Sequence, residues 1–105
     1  MIFIGTTIFT QQISNLLSDD AYAEFQQYLA DNPTSGDVIQ GTGGLRKIRW
    51  SCKNMGKRGG LRVVYFHVSA DCQIRLLLAY KKSVADDLTA QQKTALQHSI
   101  QRWNQ

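Results

Sequence analysis

The sequence predicts an α+β domain: a twisted antiparallel sheet with an N-terminal helical hairpin packed on one face and a C-terminal helix, in the order β-α-α-β-β-β-α. Three observations predict it. Apolar residues recur at helical spacing up to Leu29, they recur at strand spacing between Pro33 and Tyr80, and a helix-capping pattern begins at Thr89. The length of 105 residues suits one domain, 1–105, able to bury a core without disulfide or metal staples.

Taken in order, Ile2-Phe3-Ile4 is a short apolar edge strand ended by Gly5. Ile8, Phe9, Ile13, Leu16 and Leu17 then line one helical face. Ser18 reads as the cap of a second helix, with the Asp19 and Asp20 carboxylates against its positive end. That helix buries Tyr22, Phe25 and Leu29 and stops before Asn32-Pro33, because the residue preceding proline avoids helical geometry. Val38-Ile39 is a brief extended piece between two glycine turns.

From Leu45 to Ser51 the side chains alternate, with Ile48 and Trp50 on one face and Lys47 and Arg49 on the other. A loop rich in glycine and cations, Lys53 to Gly60, leads to Leu61–Val68, whose near-continuous apolar run suits a central strand covered on both faces. Ser69 to Cys72 is a hairpin turn, and Gln73 to Tyr80 is another central strand. Thr89 through Gln92 has the form of a capping box, and Leu96, Ile100 and Trp103 form the stripe of the helix it opens.

Charge is distributed as unevenly as secondary structure. The net charge of +4 divides into −5 over residues 1–37, +7 over residues 38–70 and +2 over residues 71–105. The stretch from Gly36 to Tyr65 carries seven of the twelve Lys and Arg residues and all but one of the eight glycines, with Asp37 as its one acid. Such polarity steers polyanions to one face, although a solvated basic loop would give the same run of charge. No apolar run approaches the ~20 residues of a membrane span, and Met1-Ile-Phe-Ile lacks a basic leader region, so a cytoplasmic protein with no membrane partner is expected.

Strands joined by short loops pair antiparallel, which folds separate basic segments onto one end of the sheet. Arg49, the loop residues Lys53, Lys57 and Arg58, then Arg62, then Tyr80, Lys81 and Lys82 converge there. The same geometry sends Cys52 to that end and Cys72 to the opposite hairpin, on the order of 20 Å away, too far for a disulfide. With no ligand-spaced cysteines or histidines, no metal site and no cofactor is expected. His67, nearer the far hairpin, reads as a packing residue and His98 as a solvated one.

No familiar hydrolase or nucleotide-binding motif occurs, and no acid lies between Asp37 and Asp71 to hold a metal among the bases. RNA cleavage without metal needs a base for the 2′-OH proton, cations for the developing phosphorane charge and an acid for the 5′-oxygen. Packed cations disfavour charge on any one lysine, lowering its pKa towards that of a usable base.

GDVIQGTGGLRKIRW, KNMGKRGGLRVVYF, LLLAYKK and DDLTAQQ together resemble the HigB branch of the RelE/ParE toxin superfamily, over essentially the whole chain. The resemblance implies a RelE-like fold and the toxin of a type II toxin–antitoxin pair, a ribosome-dependent endoribonuclease cutting mRNA in the A site without metal. It implies an antitoxin with a helix-turn-helix domain, of HigA type, through which alone operator DNA would be contacted. By the resemblance the strand cations are Lys47 and Arg49, the strand arginine is Arg62, and the basic pair after the last strand is Lys81 and Lys82.

Lys47, Arg49, Lys57, Arg62, Tyr80, Lys81 and Lys82 are therefore the candidate catalytic residues, with Arg46, Lys53 and Arg58 as further phosphate ligands. The RelE prototype places a tyrosine a few residues after the basic pair, where this chain has Leu88. Tyr80 is the candidate to replace it, and the general base stays open. A ParE-like inhibitor of a protein such as gyrase, or a non-catalytic RNA-binding module, are the alternative readings.

Overall fold

The computed structural model describes residues 1–51 and 60–81, together with Gln91, Thr94, Leu96 and His98. Its elements are β1 (Ile2–Gly5), α1 (Thr7–Leu16), α2 (Asp19–Asp31), β2 (Asp37–Val38), β3 (Arg46–Trp50), β4 (Leu61–Val68) and β5 (Gln73–Lys81). Gln91, Thr94, Leu96 and His98 are helical. The remainder of the expected C-terminal helix and its capping box, Leu88, Lys82, and the loop residues Cys52, Lys53, Lys57 and Arg58 lie outside the described residues.

The helices start where side-chain caps exist. The Thr6 hydroxyl accepts the Phe9 N–H at 3.0 Å, and the Ser18 hydroxyl accepts the Ala21 N–H at 3.2 Å. Each such cap stabilises its helix by about 1 kcal/mol. Asp19 and Asp20 occupy the first turn of α2, as expected, and the helix ends at its C-cap Asn32, before Pro33.

The strands form one sheet in the order β1-β5-β4-β3-β2. The expected α+β architecture and its antiparallel meander β3-β4-β5 are present, with β4 in the centre. β2, two residues long, adds to the outer edge of β3. β1 runs parallel to β5, which makes the sheet mixed. No hairpin links these two strands, so nothing local imposes the antiparallel direction that short loops impose elsewhere.

Phe9, Ile13, Leu17, Phe25 and Leu29 of the helical hairpin pack on Ile48, Leu61, Val63, Tyr65, Ile74 and Leu76 of one sheet face. Each fully buried side chain of this size contributes roughly 1.5–3 kcal/mol of hydrophobic stabilisation. The opposite face carries a smaller cluster of Ile39, Leu45, Val64 and Leu77, against which Phe66, Leu78, Tyr80 and Leu96 pack.

A bulge separates the two halves of β5. Val64 pairs with Leu78 but Tyr65 pairs with Leu76, so Leu77 has no partner of its own on β4. α1 secures this irregularity: the Thr6 hydroxyl donates to the Leu77 carbonyl at 3.0 Å, and the Gln12 Oε1 accepts the Ala79 N–H at 2.9 Å. The polar Gln12, on a helix otherwise packed by apolar residues, thus satisfies backbone that β1 is too short to reach.

Candidate nucleic-acid interface

Alternation along β3 behaves as its sequence suggests. Ile48 enters the core beneath the helices and Trp50 packs beside it. Lys47 and Arg49 therefore occupy the other face. In the β3–β4 register Arg49 stands opposite Arg62, and in the β4–β5 register Arg62 stands opposite Tyr80. Arg49, Arg62 and Tyr80 consequently form one row across three strands, on the face away from the helical hairpin. Side chains directly opposite in antiparallel strands have Cβ atoms about 4.5–5.5 Å apart, close enough to share one phosphate.

Arg62 is nearly buried, at 5% exposure, and is the one charged residue buried among the described residues. Gly60 makes room for its head group: a Cβ there would stand 2.6 Å from the Arg62 Nη1. Lys47, two residues before Arg49 on the same face, stands opposite Val64 on one side and Asp37 on the other.

The bulge decides what the third strand contributes. Ile74 and Leu76 face the helices, and without an extra residue Leu78 and Tyr80 would face them too. Leu77 inverts the alternation, so Ala79 joins the core and Tyr80 comes level with Arg62 on the far face. Lys81, opposite Leu61, falls on the helix side, where it lines a recess with Gln12, Asn15 and Leu16 of α1. Of the expected cluster, the described residues thus bring together Lys47, Arg49, Arg62 and Tyr80, while Lys81 borders the row from the reverse face.

Arg46 lies on that reverse face of β3. Its Nη1 donates to the carbonyls of Thr34 at 3.2 Å and Gly36 at 2.8 Å, which pins the turn after Pro33. Tyr65 secures the same turn from β4: its hydroxyl accepts the Gly36 N–H at 2.9 Å and donates to the Pro33 carbonyl at 3.0 Å. The turn in turn delivers Asp37 to its place across from Lys47.

Beyond β2 the outer edge of β3 borders a groove of about 830 Å³. Asp37, Lys47, Arg49 and Arg62 line it from one face of the sheet, and Tyr28 and Trp50 from the other. Asp37 and Tyr28 are not recognisable as site residues in the sequence. Asp37 is visible there only as an acid bordering the basic stretch, and Tyr28 as a residue of an acidic helix. Among the described residues no group of three histidine, cysteine or acidic side chains gathers to hold a metal ion. Cys72 is a free, exposed thiol. Among those residues no helix is long and apolar enough to cross a membrane.

No protein-family model matches the chain. Solved structures do. A mutant of the E. coli toxin RelE in the free state superposes with a TM-score of 0.57 at 12% identity, covering 81% of this chain and 86% of that one. A chain of the intact E. coli RelBE toxin–antitoxin complex gives 0.54 at 12% identity, with coverage of 76% and 94%. The chain shares the RelE fold.

At this identity the likeness to RelE is one of architecture. Any chemistry therefore has to be argued from the side chains that this chain places on the sheet.

Proposed function

We propose that the protein is the toxin of a type II toxin–antitoxin pair, of the HigB branch of the RelE/ParE superfamily. It acts as an endoribonuclease that cuts mRNA in the ribosomal A site without a metal ion. The observation that carries this reading is the row Arg49–Arg62–Tyr80, two guanidiniums and a phenol level with one another across three strands. Two arginines converging at one place match the non-bridging oxygens of a phosphodiester, whose charge grows in the phosphorane transition state.

In the proposed reaction the 2′-oxygen loses its proton and attacks the adjacent phosphorus. The O2′–P bond forms, the P–O5′ bond breaks, and the departing 5′-oxygen receives a proton. The products are a 2′,3′-cyclic phosphate and a 5′-hydroxyl. Arg62 and Arg49 hold the phosphate; Tyr80, Lys47 and Asp37 are the described groups able to exchange protons there. Lys53, Lys57, Arg58 and Lys82 complete the proposed cation set. In the cytoplasm an antitoxin with a HigA-type helix-turn-helix domain would neutralise the toxin and supply the only contact with operator DNA.

Incubation with translating ribosomes, followed by mapping of mRNA 5′ ends, tests the proposal. Cuts at A-site codons with 5′-hydroxyl termini are expected. Intact message across a wide range of protein concentration would overturn it.

A further inference from the structure

The groove beside β3 joins two chemistries that the cation row alone does not explain. One wall is cationic, with Arg49 and Arg62. The other is aromatic. Trp50 is held edge-on by Phe25, centroids 5.2 Å apart at 70°, and is flanked by Tyr28 at 5.3 Å and 48°. Phe25 is fully buried, whereas Tyr28 is 41% exposed, the one aromatic ring that counts as exposed among the described residues. Since β2 covers β3 only as far as Lys47, the edge from Ile48 to Trp50 borders the groove from which both walls are reached.

We infer that Tyr28 and Trp50 form a stacking subsite for one unpaired nucleobase of a single-stranded RNA whose phosphate lies on Arg49 and Arg62. This rests on the RNA reading of the same face and names what that reading leaves open, the place of a base. Single-strand binders combine a cationic track with aromatic platforms, because every base offers a π-face. The groove volume falls within the ~300–1,000 Å³ of small-ligand sites. Trp50 is fixed by Phe25 before any ligand arrives, so little ordering cost attends stacking. A duplex, whose bases are already stacked, has nothing to offer Tyr28.

The test is fluorescence titration of a Trp103→Phe protein, in which Trp50 is the sole indole, since the chain has two tryptophans. The probes are a hexameric oligoadenylate, the abasic hexamer with the same phosphates, and an acidic tyrosine-containing pentapeptide. The oligoadenylate is expected to quench Trp50, and Tyr28→Ala to weaken its binding about 5- to 100-fold, in line with stacking energies. The abasic hexamer should bind without quenching and be indifferent to Tyr28→Ala, while Arg62→Ala weakens both.

Equal binding of the two oligomers with unchanged Trp50 emission overturns the stacking subsite and leaves the endoribonuclease reading intact. A quench given by the peptide and by neither oligomer assigns the groove to a protein partner and overturns it too. If neither oligomer binds while ribosomal message is still cut, stacking alone falls; if message is also intact, the proposed function falls with it.

Discussion

Arg49 and Arg62 stand directly opposite each other across the β3–β4 pair, and Arg62 is almost wholly buried. Like charges in directly opposed positions destabilise a sheet, by roughly 0.2–1 kcal/mol in exposed pairs. A buried member raises that cost, because its charge has left water. The pairing makes physical sense around an anion. Arg49→Gln is therefore expected to raise the melting temperature by about 2–5 °C at low ionic strength. Inorganic phosphate should raise it in the wild type and much less in the variant. In the ribosome assay the same variant should cut message at least about 100-fold more slowly, as when one transition-state donor is lost. A variant that is no more stable and equally active would remove the argument from like charge.

The Leu77 bulge makes Tyr80 and Lys81 unequal. Tyr80→Phe keeps the ring packed on the second cluster and removes only the hydroxyl; cleavage should fall about 100-fold or more if the phenol exchanges a proton. Lys81→Ala, on the reverse face, should change the rate by no more than about threefold, the scale of a screened surface charge. Single-turnover cleavage rates on programmed ribosomes compare the two. The opposite ranking would place the lysine at the phosphate.

Tyr65 anchors the turn that carries Asp37. Burial pushes its phenol above the usual tyrosine value, against the lowering effects of the Gly36 N–H and the Arg46 charge. A raised folded pKa means the native state holds this proton more tightly than the unfolded chain. Its contribution is complete below the unfolded value near 10 and is lost as pH rises through the folded value. Thermal stability is thus expected to fall above about pH 10, with a smaller fall in Tyr65→Phe. At neutral pH that variant leaves the buried Gly36 N–H without its acceptor and should cost about 1–3 kcal/mol, readable by urea denaturation.

Two glycines separate crowding from backbone conformation. A Cβ on Gly36 would lie 2.9 Å from the Tyr65 ring and hydroxyl and 3.1 Å from the Lys47 carbonyl. Gly41 has open space around it but a φ of +77°. Gly41→Ala should cost about 1 kcal/mol, the strain of a left-handed alanine. Gly36→Ala should cost about 2–4 kcal/mol, because the tyrosine must yield its hydrogen bonds as well as its place. Paired denaturation curves decide the order.

Much of this protein follows from its sequence alone. The Ser18 cap, the stop at Asn32-Pro33, the strand Leu61–Val68 and the division of β3 into Ile48/Trp50 and Lys47/Arg49 all follow from local periodicity and capping. Local rules suffice there because each depends on neighbours within one helical turn or one pleat. The convergence of Arg49, Arg62 and the Tyr80-Lys81 pair at one end of the sheet follows as well, since short hairpins leave little choice of strand order. The tertiary structure decided the rest. Leu76, Leu77, Leu78 and Ala79 are all apolar, so no alternation marks the bulge or tells which of Tyr80 and Lys81 shares a face with Arg62. One inserted residue settles it, held by Thr6 and Gln12 from a helix more than sixty residues away in the chain. The direction of β1, the place of Asp37 opposite Lys47 and the meeting of Tyr28 with Trp50 likewise depend on contacts between distant segments, which no local pattern encodes.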